Sequence, residues 1–66
     1  MDLLSIYRDH CPVSVDSEQV QQYRDVYRAH CFGVYDALRS VAANLHDKQM
    51  IKDLEQMHMD TVGEAL

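Results

Sequence analysis

The fold of this chain depends mainly on residues 16–45, which read DSEQVQQYRDVYRAHCFGVYDALRSVAANL. Apolar side chains recur in this segment every three or four residues, which is the period of one face of an α-helix. They are Val20, Tyr23, Tyr27, Cys31, Val34, Leu38, Val41 and Leu45. The pattern predicts one long amphipathic helix over residues 17–45, with its apolar face turned towards the rest of the protein.

The start of this helix carries a recognisable capping pattern. Asp16 is a good N-cap residue, and Gln19, three residues later, completes a capping box. Val15 before the cap and Val20 after it fit a hydrophobic staple. Gly33 lies in the middle of the helix and costs about 1 kcal/mol relative to alanine, so it marks either a close approach by another helix, a bend or a tolerated glycine.

The segment before the long helix is short and ends at the only proline. Residues 2–9 hold enough apolar side chains for a short helix with Asp2 as its cap. Pro12 disfavours helical geometry at Cys11, so this helix has to end there. We expect it to fold back over the first half of the long helix, because a helix this short does not persist alone in water.

A second amphipathic helix is predicted over residues 48–62. Asn44 is suited to end the long helix in left-handed geometry, Asp47 to cap the second helix and Gly63 to end it. A short connection makes the two helices antiparallel neighbours. With two glycines, one proline and no β-hairpin turn signal, the chain is predicted to be a single all-α domain built on a helical hairpin.

The unequal lengths of the two predicted helices favour self-association. A chain of 66 residues makes a small core, which often supplies only about 3–5 kcal/mol. The shorter helix covers only the later half of the apolar face, so the earlier half is left to the N-terminal helix, to a second copy of the chain, or to both. We therefore predict a homodimer, built as a bundle of hairpins in two-fold symmetry. Its candidate interface residues are Val20, Tyr23, Tyr27, Cys31, Val34 and Leu38.

Composition and charge exclude several classes of function. The net charge of -5 argues against non-specific binding to nucleic acids or anionic membranes, which need clustered cations. Arg24 and Arg28, one helical turn apart, offer only a local cationic edge, so direct binding to nucleic acid is not expected. No segment has the apolar length of a membrane span, and the first residues lack the pattern of a signal peptide. We expect a cytoplasmic protein with reduced cysteines.

A short sequence occurs twice, as YRDHC at residues 7–11 and as YRAHC at residues 27–31. The two His-Cys pairs, His10 with Cys11 and His30 with Cys31, raise the alternative of a zinc site. Adjacent helix positions point about 100° apart, which makes it hard for one metal to collect both members of a pair. The other interpretations are a small core cysteine at position 31, and a disulfide between Cys11 and Cys31 if the N-terminal helix folds back.

No catalytic motif is present, because the serines and histidines lie in no nucleophile, phosphate-binding or ligand pattern. In size, acidity and helix pattern the chain resembles the accessory early proteins of temperate, lambdoid bacteriophages, of the exo–xis region type. The resemblance implies a small regulator in the host cytoplasm, acting through an unidentified protein partner. The sequence hypothesis is therefore a non-enzymatic, homo-oligomeric interaction module, and the alternative is a zinc-stabilised or redox-sensing domain.

Overall fold

A computed structural model describes residues 2–63 of the chain, and this part is built from helices. There are three α-helices, named here α1, α2 and α3. Residues 11–23, here called the connector, join α1 to α2 and include a 3-10 helix. In chain order the helices are α1 Leu3–His10, the 3-10 helix Glu18–Tyr23, α2 Arg24–Asn44 and α3 Lys48–Val62. No strand occurs in this part of the chain. The all-α prediction, with one long helix and shorter ones, is confirmed.

Helices α2 and α3 form the predicted hairpin. The Asp47 carboxylate accepts a hydrogen bond from the Met50 amide at 3.0 Å and caps α3. Gly63 ends α3 in left-handed geometry with φ 70°, as its lack of a side chain allows. The prediction for Asn44 was wrong, because the left-handed residue of the turn is His46, with φ 56°. Asn44 is instead the last residue of α2 and keeps helical geometry.

Helix α1 packs against both α2 and α3. The Asp2 side chain accepts hydrogen bonds from the amides of Leu4 and Ser5, which confirms it as the cap. Leu3 and Tyr7 turn into the core from one side of this helix. Packing of this apolar side, rather than helix propensity, therefore holds α1 in place.

The long helix begins later than the sequence predicts. Ser17, not Asp16, caps the first turn, and its side chain accepts from the Gln19 amide at 3.3 Å. That turn is a 3-10 helix, and Tyr23 (φ -135°, ψ 33°) separates it from α2. Asp16 pairs with the Arg24 guanidinium at 3.2 Å instead. A 3-10 helix rises more per residue than an α-helix, so residues 18–23 extend further than the same residues would in an α-helix.

The core lies where all three helices and the connector meet. Its buried apolar residues are Leu3, Tyr7, Cys11, Val15, Val20, Tyr27, Cys31, Leu38, Ala42, Leu54 and Val62. The connector belongs to it, because the Val15 amide donates to the Thr61 carbonyl at 2.9 Å. The Tyr27 hydroxyl also donates to the Val13 carbonyl at 2.6 Å. These two bonds tie the connector to α3 and to α2.

Candidate interaction surface

Most of the candidate interface residues lie inside the single chain. Val20, Tyr27, Cys31 and Leu38 are buried in its own core, and only Tyr23 is well exposed. Val34 is partly buried and packs against the same core. The structure therefore moves these residues from a surface to the core, and an interface made of them would require the chain to open.

The cover for the first half of the apolar face comes from α1 and the connector. The sequence left open whether this cover was the N-terminal segment or a second copy. Val13 is hydrogen-bonded to Tyr27 through both its amide (3.2 Å) and its carbonyl (2.6 Å). Val15 lies on α3 through its bond to Thr61. The first half of the apolar face is therefore covered within the single chain, and it does not need a second copy to cover it.

The opposite side of α2, here called the outer face, is exposed along most of the helix. Its positions recur every three or four residues and so share one side of the helix. They are Val26, Ala29, Gly33, Ala37, Ser40, Val41 and Asn44, and all of them are exposed; Asp25 and Asp36, also exposed, lie along one edge of this face. None of the residues on the face itself is a lysine, an arginine or an acidic residue. In a chain that is 26% charged, this is an unusual run of uncharged surface.

The outer face has an open centre and apolar ends. A Cβ added at Gly33 would meet no atom of the surrounding structure within 4 Å. Val26 is 70% exposed at one end and Val41 is 37% exposed towards the other. The arginines of α2 lie on other sides of the helix, where Arg24, Arg28 and Arg39 contact Asp16, Phe32 and Glu55 respectively. The face can therefore receive an apolar surface at its centre while the charges at its edge stay in solvent.

The polar centre of the molecule is His58, one of the histidines for which the sequence shows no catalytic or ligand pattern. Its side chain is fully buried, and Nδ1 is hydrogen-bonded to the Tyr7 hydroxyl at 2.7 Å. The ring stacks on Tyr35, with centroids 4.4 Å apart, and meets Phe32 edge to face at 4.5 Å. One residue of α3 thus joins α1 to α2.

Burial lowers the pKa of His58 and raises that of Tyr7. Both shifts favour the uncharged forms, because a low-dielectric interior penalises charge. Nε2 of His58 is buried and has no hydrogen-bond partner. The partner of Nδ1 lies 51 residues away in sequence, so no local spacing signal pointed to this pair. The Tyr7–His58 pair is enclosed by the core, and its geometry serves packing rather than substrate binding.

The two His-Cys pairs come together across α1 and α2. The rings of His10 and His30 lie 6.3 Å apart, and Nε2 of His30 donates to the His10 carbonyl at 2.9 Å. Cys11 and Cys31 are buried and free. The histidines are exposed while the thiols face the core, so the pairs do not converge on one point. Within residues 2–63, no three His, Cys, Asp or Glu side chains are grouped to hold a metal ion.

An open cleft of about 540 Å³ runs between α1, the connector and α3. Leu4, Val13 and Met57 give it an apolar floor, with Arg8 on one side and Asp60 on the other. It contains no pair of groups with a nucleophile and a base in hydrogen-bonding reach, so it offers no recognisable catalytic arrangement.

Comparisons with protein families, with curated proteins and with solved structures find no match for this chain. No helix within residues 2–63 combines the length and the apolar character needed to cross a membrane.

Proposed function

We propose that this protein is a non-enzymatic interaction module that forms a homodimer through the outer face of α2. The observation that carries the proposal is the uncharged, exposed run on that face, centred on Gly33. An exposed apolar patch with a polar surround is typical of protein–protein contacts. The proposal keeps the self-association expected from the sequence but places it on the opposite side of the helix.

A second copy of the chain is the occupant that fits this face best. Under two-fold symmetry the same surface pairs with itself, and two α2 helices cross in an antiparallel sense. With the axis near Gly33, Val26 of one copy lies beside Val41 of the second, because the two positions are almost equally far from Gly33 in sequence. A glycine at the crossing lets the two backbones approach closely.

Charge also favours this face. Two copies that each carry a net charge of -5 repel one another, and the repulsion is least where no charged side chain enters the contact. Added salt screens the remaining repulsion, so the dimer should persist or strengthen as ionic strength rises. A contact built on surface ion pairs would weaken instead.

The size of the face sets the expected affinity. From Val26 to Asn44 the helix extends by roughly 27 Å, and one helix is about 10 Å wide. A contact of that size lies at the small end of specific interfaces, below about 1,200 Å² in total. The dimer should therefore be reversible and depend on protein concentration.

The test is analytical ultracentrifugation of the reduced protein over a wide range of concentrations. We expect the wild type to pass from monomer to dimer, and Val26→Lys to remain monomeric with unchanged helicity. Lysine is chosen because it lowers the net negative charge, so general repulsion cannot explain the loss. Ala43→Lys is the matched control, since Ala43 is exposed on α2 but outside the outer face.

Each outcome bears on the proposal. Dimerisation of Ala43→Lys with a monomeric Val26→Lys supports the outer face as the interface. A wild type that stays monomeric at the highest concentrations, or a Val26→Lys protein that still dimerises, would overturn it. Loss of dimer in both variants would point to a contact elsewhere on α2 and would also contradict it.

The biological setting of the proposal rests on the resemblance to lambdoid accessory proteins. In that setting the dimer acts in the host cytoplasm as a regulator of another protein. The support for a non-enzymatic role is the absence of a catalytic arrangement in the described core and cleft. Crosslinking of the protein in infected cells, with Val26→Lys as the comparison, would identify partners that depend on the dimer.

A further inference from the structure

The repeated YRxHC sequence brings two cysteines face to face. Two contacts fix the connector along α2 on either side of Cys11. On one side Nε2 of His30 donates to the His10 carbonyl at 2.9 Å, and on the other the Tyr27 hydroxyl bonds to Val13. Between these contacts Cys11 lies beside Cys31, near enough for Cys31 to contribute, after burial, to the raised pKa of the Cys11 thiol. Both are buried, at 5% and 0% exposure, and both are free.

The two thiols differ in their access to solvent. Cys11 lines the open cleft between α1, the connector and α3, whereas Cys31 is fully enclosed. A small reagent in the cleft therefore reaches Cys11 first. Cys31 can then react only with a group already attached at Cys11. This order of access is that of an attacking and a resolving cysteine.

We propose that Cys11 and Cys31 form a reversible intramolecular disulfide by exchange with a low-molecular-weight disulfide of the glutathione type. The Cys11 thiolate attacks one sulfur of that disulfide, forming a mixed disulfide and releasing one thiol. The Cys31 thiolate then attacks the Cys11 sulfur and releases the second thiol. Two protein thiols are oxidised and one small disulfide is reduced to two thiols, with both protons passing to the released thiolates.

The bond would lock the N-terminal part of the chain onto α2. It connects the connector directly after α1 to the middle of α2 and closes the loop between residues 11 and 31. Closing a loop of about twenty residues restricts the unfolded chain and stabilises the folded one. The disulfide lies within one chain and away from the outer face, so it does not depend on the proposed dimer.

The rate of the exchange should be low in the closed structure. Burial raises the pKa of the Cys11 thiol to about 12, so little of the reactive thiolate is present near neutral pH. Reaction therefore proceeds through conformers in which the cleft between α1, the connector and α3 opens and exposes Cys11 while Cys31 stays covered. Mild denaturant, which populates such conformers, should accelerate the oxidation.

The test is incubation of the reduced protein with oxidised glutathione, followed by mass spectrometry. We expect a monomer that has lost two hydrogens and, after digestion with trypsin, a crosslink between peptides 9–24 and 29–39. The oxidised protein should melt higher by an amount on the order of 10 °C. Cys31→Ala should stop at one attached glutathione, whereas Cys11→Ala should remain unmodified under the same conditions.

Three results would overturn the proposal. The first is a wild-type protein that keeps one attached glutathione without closing the bond. The second is a crosslink between two chains, and the third is no reaction even in mild denaturant. The peptide map of the wild type decides among these without the variants, so a variant that fails to fold does not weaken the test. A monomeric wild type would count only against the proposed dimer.

Discussion

The two sides of α2 differ in burial: one is packed against the rest of the chain and the other is exposed to solvent. The inner side, with Tyr27, Cys31 and Leu38, is buried by α1, the connector and α3 of the same chain. The outer side, centred on Gly33, is exposed and carries its charges, Asp25 and Asp36, along one edge. The inner side determines whether the chain folds, and the outer side is the surface that remains available to a second copy.

This difference shows that an apolar pattern on a helix does not by itself distinguish a core from an interface. The inner pattern is stronger, with large side chains on a strict helical period, so it was predicted as the interface. Small core proteins need such a face for themselves, because little other apolar surface is available. The weaker pattern of Val26, Gly33, Ala37 and Val41 contributes nothing to the core and was therefore overlooked.

The largest expected effect comes from placing a charge on the inner side. Leu38→Asp buries an unpaired carboxylate, which costs several kcal/mol and matches the roughly 3–5 kcal/mol that a core of this size supplies. The protein should lose its helical signal in far-UV circular dichroism. Ala37→Asp, one residue earlier on the exposed outer face, should keep that signal and lose only the dimer.

This pair of adjacent substitutions separates the two sides directly. If Leu38→Asp stayed helical but became monomeric, the inner side would be an interface after all, as the sequence pattern first indicated. If Ala37→Asp unfolded the chain, the outer side would be needed for folding itself. Either result would abolish the distinction between the two sides.

The next effect concerns His58, a buried polar residue that packs against the inner side. Burial holds the pKa of His58 below its ordinary value of 6.5. As pH falls below about 6.5, His58 becomes protonated in the unfolded chain but stays neutral in the folded chain. The contribution of His58 to the free energy of unfolding is therefore fully present above that pH and decreases in acid, by up to about 1.4 kcal/mol per pH unit. Urea unfolding at a series of pH values from about 7.5 to 5 measures this decrease.

A matched pair of variants assigns the acid sensitivity. His58→Phe keeps an aromatic ring against Tyr35 and removes the titrating group, so its stability should be much less dependent on pH over this range. His46→Asn changes an exposed histidine at the left-handed turn position, which asparagine tolerates. It should retain the wild-type pH dependence. An unaltered slope in His58→Phe would show that other groups carry the effect.

The features that the sequence predicts correctly are local ones. Asp2 and Asp47 cap helices through amides two or three residues away, and Gly63 ends α3 by its own backbone freedom. Such interactions are complete within one turn of helix, so a pattern of neighbouring residues is enough to predict them. The hairpin follows from the same logic, because a short connection leaves two amphipathic helices only one way to pack.

The features that the sequence missed depend on partners far along the chain. His58 is hydrogen-bonded to Tyr7, 51 residues away in sequence, and the Val15 amide donates to the Thr61 carbonyl from before the hairpin to near its end. Neither pairing leaves a periodic signal. The late start of α2 has the same origin, since the connector is fixed at both ends. A pattern of apolar residues indicates the period of a helix, but it does not show which other segments pack on its apolar face or how far along the helix they extend.

The smallest effect tests the outer side in the isolated chain. Gly33→Ala adds a methyl group where no atom lies within 4 Å, and it removes the conformational cost of a glycine inside a helix. We expect a gain of about 1 kcal/mol, or a melting temperature higher by about 4–8 °C, measured in dilute reduced protein. Ala37→Gly, the reverse change on the same face, should lower it by a similar amount. The methyl group of Gly33→Ala is small, so this variant should still dimerise. The larger side chain of Gly33→Leu should leave folding unchanged but prevent dimerisation. If Gly33→Ala instead destabilised the dilute protein, the outer face would already be packed in the monomer, and the surface proposed for the second copy would not exist.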